Sequence, residues 1–157
     1  MPEQRTPYEI VESVLTELSP EEVRHLPELW EIYLRDPREL ERSSEQLLGS
    51  GVLAELAAWG PLVVTFVGGA LLEAVREEIT ERARGVFGFA ARRRAAAQAV
   101  EEPLRAFDPV QRRRIGAAVL SRARAFGMPE ERAQLLADAV VGELQRLADA
   151  TAQDVDP

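Results

Sequence analysis

Apolar and polar residues follow a helical pattern along this chain, and four proline-marked caps open the predicted helices. Each cap combines a side-chain oxygen, a proline at the first helical position and a Glu or Gln three residues after the cap. This arrangement satisfies backbone donors that the first turn of a helix leaves free. The four predicted starts are Thr6-Pro7, Ser19-Pro20, Asp36-Pro37 and Asp108-Pro109.

Apolar residues recur every three or four positions after these starts, as one face of a helix requires. Pro27 interrupts the apolar pattern that follows the start at Ser19-Pro20, and there we expect the helix to bend or restart. Two further stripes, at residues 115–126 and 136–147, flank a turn at Gly127, Met128 and Pro129. They predict a C-terminal αα-hairpin. Only residues 62–67 resemble a strand, and no second segment alternates in a way that would pair with it.

The pattern therefore predicts an all-α single domain of about six or seven helices, with a central hydrophobic helix or hairpin. A length of 157 residues is that of one domain. We expect acidic N-terminal helices at 1–50 and a hydrophobic segment that continues into an amphipathic, arginine-rich helix at 51–102. The αα-hairpin follows at 103–150, and a disordered tail at 151–157.

The stretch from Leu56 to Leu72 holds 17 residues without a charge, between Glu55 and Glu73. This length lies at the lower edge of what spans a bilayer. Arginines are more frequent after the stretch than before it, which would leave the C-terminal half in the cytoplasm. The predicted membrane or partner contacts are Trp59, Leu62, Val63, Val64, Phe66, Val67, Leu71 and Leu72. The predicted interface arginines are Arg76, Arg82, Arg84, Arg92, Arg93 and Arg94.

The same stretch also fits a helix buried in protein. Gly60 and Pro61 favour a break, after which only residues 61–72 are free of charge, and twelve residues is the length of a core helix. A third interpretation is a hydrophobic hairpin of 52–59 and 61–75, buried in one form and available to a membrane or another subunit in a second form.

Charge is unevenly distributed over the chain, which has a net charge of −8. Residues 1–50 carry a net charge of −7, residues 76–124 a net charge of +6 and residues 125–157 a net charge of −5. All nineteen basic residues are arginine, which together with the abundant alanine is typical of a bacterial gene of high GC content. We expect the triplets at 92–94 and 112–114 to pair with the acidic N-terminal half, within or between chains. The negative net charge argues against nucleic acid.

Few residues of this sequence are candidates for catalysis or metal binding. The chain has one histidine and no cysteine, and it lacks nucleophile and phosphate-binding motifs. Glu22 and His25 have the Glu-x-x-His spacing of di-iron bundles, but such a site needs further glutamates, so an exposed polar turn is the simpler interpretation. We predict no enzymatic activity, no cofactor and no metal.

Two functions remain. The first is a small helical protein that associates with a membrane through residues 52–75, as an anchored component or a membrane-perturbing effector. The alternative is a soluble interaction or adaptor protein that uses the same segment as its core or as an oligomer seam. The expected partners are a membrane or another protein chain, including a homo-oligomer. The first apolar cluster contains Glu12 and Glu17, which excludes an ordinary secretion signal and favours the cytoplasm or the cytoplasmic face of the inner membrane.

Overall fold

The computed structural model describes residues 5–49, 59–82, 99–100, 103–104 and 106–155. These ranges contain no strand, and the prediction of an all-α single domain is confirmed. A 3₁₀ helix (Pro20–His25) precedes α2, and a π-helical segment (Val64–Gly68) joins α4 to α5, so that residues 59–82 form one continuous central helix. The α-helices are α1 (Pro7–Leu18), α2 (Leu26–Arg35), α3 (Pro37–Gly49), α4 (Trp59–Val63), α5 (Gly69–Arg82), α6 (Pro109–Ala125) and α7 (Glu130–Val155).

Two of the four predicted caps are complete capping boxes. The Asp108 carboxylate accepts from the Gln111 backbone N–H at 2.8 Å, and the Gln111 side chain accepts from the Asp108 N–H at 3.0 Å. Thr6 and Glu9 make the same reciprocal pair before α1. Ser19 makes no side-chain cap bond and precedes a 3₁₀ helix. The α-helix starts only at Leu26, where Pro27 occupies its first turn.

Residues 62–72 of the central helix are surrounded by the rest of the bundle. Helices α1, α2 and α3 pack against its first half, α6 packs along its second half, and α7 lies against α1 and α6. Close approach depends on small residues: a methyl group added at Gly68 would lie 3.0 Å from Cζ3 of Trp30. At the opposite side of the same helix region, the Phe66 and Phe126 rings meet edge to face at 5.2 Å between centroids.

One hydrogen-bonded hydroxyl pair lies inside this apolar core. The Ser44 hydroxyl donates to the Leu40 carbonyl at 2.9 Å, and its oxygen lies 3.2 Å from the Thr65 hydroxyl oxygen. Because the single Ser44 proton is already donated, Thr65 is the donor of the second bond. The pair fixes α3 against the π-helical segment, since a buried hydroxyl without a partner would be costly.

Helices α6 and α7 form the two arms of the predicted C-terminal hairpin. Gly127, with φ of +89°, makes the turn between them, where the left-handed conformation favours glycine. The arms approach closely, because a Cβ at Gly116 would lie 2.6 Å from Cγ2 of Val141. Helix α7 continues to Val155, although the sequence predicts a disordered tail from residue 151. In this last part of the helix the Thr151 hydroxyl donates to the Leu147 carbonyl at 2.8 Å.

Candidate functional site

The eight apolar residues predicted as membrane or partner contacts all lie inside the described bundle. The most exposed of them is Trp59, at 6% of its free surface, and Leu62, Val64 and Phe66 are fully buried. They contact the side chains of the surrounding helices and form one hydrophobic core with them. In this conformation residues 62–72 offer almost no apolar surface. Among the described helices, none combines the length and the apolar character needed to cross a bilayer.

A carboxylate and a guanidinium meet the start of the central helix. Both Glu22 oxygens accept backbone donors there, from the Trp59 N–H at 2.9 Å and the Gly60 N–H at 3.2 Å. Pro61 has no N–H, so its place in the first turn costs no hydrogen bond. The Arg132 guanidinium lies over the Trp59 ring, with 5.5 Å between Cζ and the ring centroid. These contacts attach the 3₁₀ helix and α7 to the first turn of the central helix.

The predicted interface arginines are only partly within the described residues. Arg76 is exposed on α5, and Arg82 is the last residue of that helix. Arg84, Arg92, Arg93 and Arg94 lie outside the described residues.

Tyr33 lies among charged side chains where α2, α3, α5 and α6 meet. Burial raises the pKa of its phenol, Arg122 and Arg76 lower it, and Glu41 and Glu73 raise it again, so that burial prevails. A Cβ at Gly69 would lie 2.9 Å from Nη1 of Arg122 and 3.2 Å from the Tyr33 hydroxyl. The absence of a side chain at that point of the central helix therefore makes room for both groups.

Helix α6 is the most basic element of the described chain. Its seventeen residues include five arginines and no acid: Arg112, Arg113, Arg114, Arg122 and Arg124. Arg112 donates to the Phe107 carbonyl at 2.6 Å, and Arg124 pairs with Glu130, which lowers the pKa of the Glu130 carboxyl.

Four of the five arginines of α6 are exposed, and Arg112 is half-buried. Of the exposed four, Arg113 and Arg114 lie on the outer face of the helix, and within the described ranges neither forms an ion pair. The pairing of the 112–114 triplet with the acidic N-terminal half is therefore not made inside the described part of this chain. Between chains it stays a prediction. Around these arginines the outer face of α6 is built from small exposed residues, namely Ala117, Ala118, Ser121 and Ala125.

A groove and a smaller cavity are among the depressions on the described surface. A groove of about 520 Å³ lies between α1 and α7, and at its base the buried Glu143 binds Arg5 at 3.4 Å and Arg146. Because Arg146 also approaches Glu17 at 3.8 Å, these charges join α7 to α1. A smaller cavity of about 140 Å³ separates α5 from α6, and Arg114 lines it opposite Glu77, Glu78 and Glu81.

The Glu-x-x-His pair does not form a metal site in this structure. Glu22 is occupied as the cap of the central helix, and His25 accepts from the Arg24 side chain at 3.1 Å. No metal-binding group of three His, Cys, Asp or Glu side chains occurs within the described ranges. Sequence reasoning missed the capping role because a cap supplied from 37 residues away leaves no local pattern.

Comparison with protein-family models, with curated proteins and with solved structures gives no match.

Proposed function

We propose that this chain is a small helical protein-interaction module. Its 59–75 segment is the structural core, and the arginine-bearing outer face of α6 is the surface that contacts a partner. The partner offers acidic side chains, preferably on a helix. The proposed place of action is the cytoplasm or the cytoplasmic face of the inner membrane.

The single observation that carries this proposal is that Arg113 and Arg114 are exposed on a helix without acids and form no ion pair with any described residue. A guanidinium binds carboxylates in two-pronged geometry, which suits an acidic protein surface. The small residues at 117, 118, 121 and 125 allow another helix to approach closely before side chains collide. A nucleic acid is the less suitable partner, because the chain carries a net charge of −8.

The burial of the hydrophobic segment argues for a protein partner rather than a lipid one. The eight apolar side chains of the segment are at most 6% exposed and pack among α1, α2, α3 and α6. Membrane insertion through residues 59–75 would require the bundle to come apart, because these side chains would have to leave their helical neighbours before they met lipid.

The test of the surface is site-specific photo-crosslinking in cells that express the chain naturally. A p-benzoylphenylalanine placed at Ala118 should form covalent adducts with an acidic protein, whereas the same group at Ala152, near the end of α7, should not. The Arg113→Glu and Arg114→Glu double variant should abolish the adducts. A matched variant with Arg24→Glu and Arg38→Glu, which changes the net charge equally, should retain them. Equal adducts at both positions, or none at Ala118, would overturn the proposal.

Vesicle flotation tests the core directly. The full chain is mixed with vesicles of 70% phosphatidylcholine and 30% phosphatidylglycerol, on the order of the anionic content that attracts basic segments. We expect the protein to stay at the bottom of the gradient at physiological salt. Flotation that the Arg113→Glu and Arg114→Glu double variant retains would contradict the assignment of residues 59–75 to the core and would favour membrane association through that segment.

A further inference from the structure

The cavity of about 140 Å³ between α5 and α6 brings opposite charges of the two helices face to face. Of the eight described residues that line it, three are glutamates of α5, namely Glu77, Glu78 and Glu81, and the single base is Arg114 of α6. The Gln111 amide donates to Glu78 at 3.4 Å across the gap. Arg114 forms no ion pair with any of the three carboxylates, so it is attracted across the cavity without being bound there.

Glu77 and Glu81, called the α5 glutamates below, are exposed and form no ion pair within the described ranges. They are four residues apart and therefore lie on one side of the helix, where their like charges repel. Arg76 does not compensate them, because it points to a different side of α5 and acts on the Tyr33 phenol. Arg114 is therefore the described base that faces the α5 glutamates.

The two outward-facing arginines of α6 differ in what lies beside them. Neighbouring residues of an α-helix point about 100° apart, and Arg113 does not line the cavity. A cavity of this volume is only a few atoms wide, which is less than the Debye length of about 8 Å at physiological salt. Salt therefore does not fully screen the attraction between Arg114 and the α5 glutamates, and an acidic partner that binds Arg114 has to overcome it.

We propose that the α5 glutamates compete with an acidic partner for Arg114. Arg113 is then the stronger anchor of the α6 surface, and α5 limits the affinity of that surface. This inference rests on the proposed function, since it assigns different roles to two residues of the same surface. It predicts that loss of Arg113 weakens binding more than loss of Arg114, although the two residues are neighbours of equal charge.

The attraction inside the chain is measured without any partner, by a double-mutant cycle. Arg114→Gln and Glu81→Gln are made singly and together, and urea unfolding gives the unfolding constant of each variant. The two effects should depart from simple multiplication by about twofold, a size usual for an exposed ion pair. Arg113→Gln combined with Glu81→Gln is the matched control, and its effects should multiply. Simple multiplication in both cycles would overturn the inference.

The competition is measured with an acidic probe, a fluorescein-labelled peptide of Glu-Ala-Ala-Ala repeats, by fluorescence anisotropy at physiological salt. Glu77→Gln together with Glu81→Gln should lower the Kd about threefold, because Arg114 is released. Glu28→Gln together with Glu31→Gln on α2 changes the net charge equally at exposed positions that do not line the cavity, and should have a smaller effect. Equal effects of the two double variants would overturn the inference.

The same measurement in two arginine backgrounds identifies the residue through which the α5 glutamates act. The threefold gain should persist in the Arg113→Gln chain and disappear in the Arg114→Gln chain. In the chain with both α5 glutamates intact, Arg113→Gln should raise the Kd more than Arg114→Gln does. A gain that remains without Arg114 would contradict the inference, because it would reflect net charge alone.

Failure of this inference and failure of the proposed function give different results. If the unfolding cycles show no coupling between Arg114 and Glu81, the inference falls, and photo-crosslinking at Ala118 still tests the α6 surface. If the coupling is present but the chain neither binds the peptide nor forms adducts at Ala118, the attraction within the chain stands. The proposed function then falls, and the competition that rests on it falls too.

Discussion

The central helix and the α6–α7 hairpin show two ways in which a sequence encodes burial. Along α6 the buried residues recur at 115, 116, 119 and 123, and of the positions between them all except the partly buried Leu120 are exposed. Along the central helix, residues 62–72 are buried on every side. An amphipathic pattern indicates which side of a helix faces the core, whereas a uniformly apolar pattern indicates only that the helix is shielded from water.

This difference explains why the hairpin was predictable and the role of the hydrophobic segment was not. Lipid and protein are both apolar surroundings, and a helix buried in either one lacks a polar face. What distinguishes the two here is the set of neighbours, such as Trp30 against Gly68 and Phe126 against Phe66. Those neighbours come from distant parts of the chain, so the local sequence does not indicate them.

An arginine substituted into each of the two regions should give the largest expected difference in the free energy of unfolding. Val64→Arg buries a guanidinium with no partner inside the core and should cost more than about 4 kcal/mol, enough to unfold the domain. Ala118→Arg on the exposed face of α6 should change stability by less than about 0.5 kcal/mol. Urea unfolding followed by circular dichroism measures both. A folded Val64→Arg chain of normal stability would show that the segment is not a closed core.

Substitutions at two glycines of the hairpin should change stability by smaller amounts and in opposite directions. Gly116→Val forces a side chain against Val141 and should cost about 1–3 kcal/mol by overpacking. Gly142→Ala adds a methyl group in open space within a helix and should stabilise the chain by about 0.5–1 kcal/mol. Thermal unfolding of the two variants should therefore give shifts of opposite sign. Shifts of the same sign would mean that the close contact between α6 and α7 is wrong.

Substitution of Glu22 tests whether its carboxylate caps the start of the central helix. Glu22→Ala removes the acceptor of two backbone donors and should cost about 1–2 kcal/mol. Glu21→Ala, at an exposed neighbouring position, should be nearly neutral. The free energy of unfolding in urea is again the measurement. If the two variants behave alike, Glu22 is not the cap.

Alkaline pH should have the smallest effect, through Tyr33 at the junction of the two regions. Burial raises its pKa, so the folded state favours the neutral phenol. This contribution is constant below about pH 10, where the phenol is neutral in both states. Above that pH the unfolded chain ionises first, and stability falls as pH rises. Tyr33→Phe should lessen this fall, though not abolish it, since the pKa of Tyr8 is raised too. An unchanged slope would contradict the burial of the phenol.

The parts of the fold that depend on local chemistry were predictable from sequence. The capping boxes at Thr6 and Asp108, the restart at Pro27 and the turn at Gly127 all follow from residues within a few positions of each other. The candidate surface was harder to predict. Whether Arg113 is paired depends on which other helices lie beside it, and chain order does not show that.

The π-helical segment has a consequence for how this chain tolerates change in length. A residue added to a buried helix normally turns everything after it out of alignment with the core, because each residue of an α-helix advances about 100°. A locally wider turn absorbs such an addition, and the sequence on either side keeps its orientation. Residues 64–68 are such a turn, within the most tightly enclosed part of the bundle. Removal of one residue there would narrow the turn to an ordinary α-helix and leave the residues on either side facing the same neighbours.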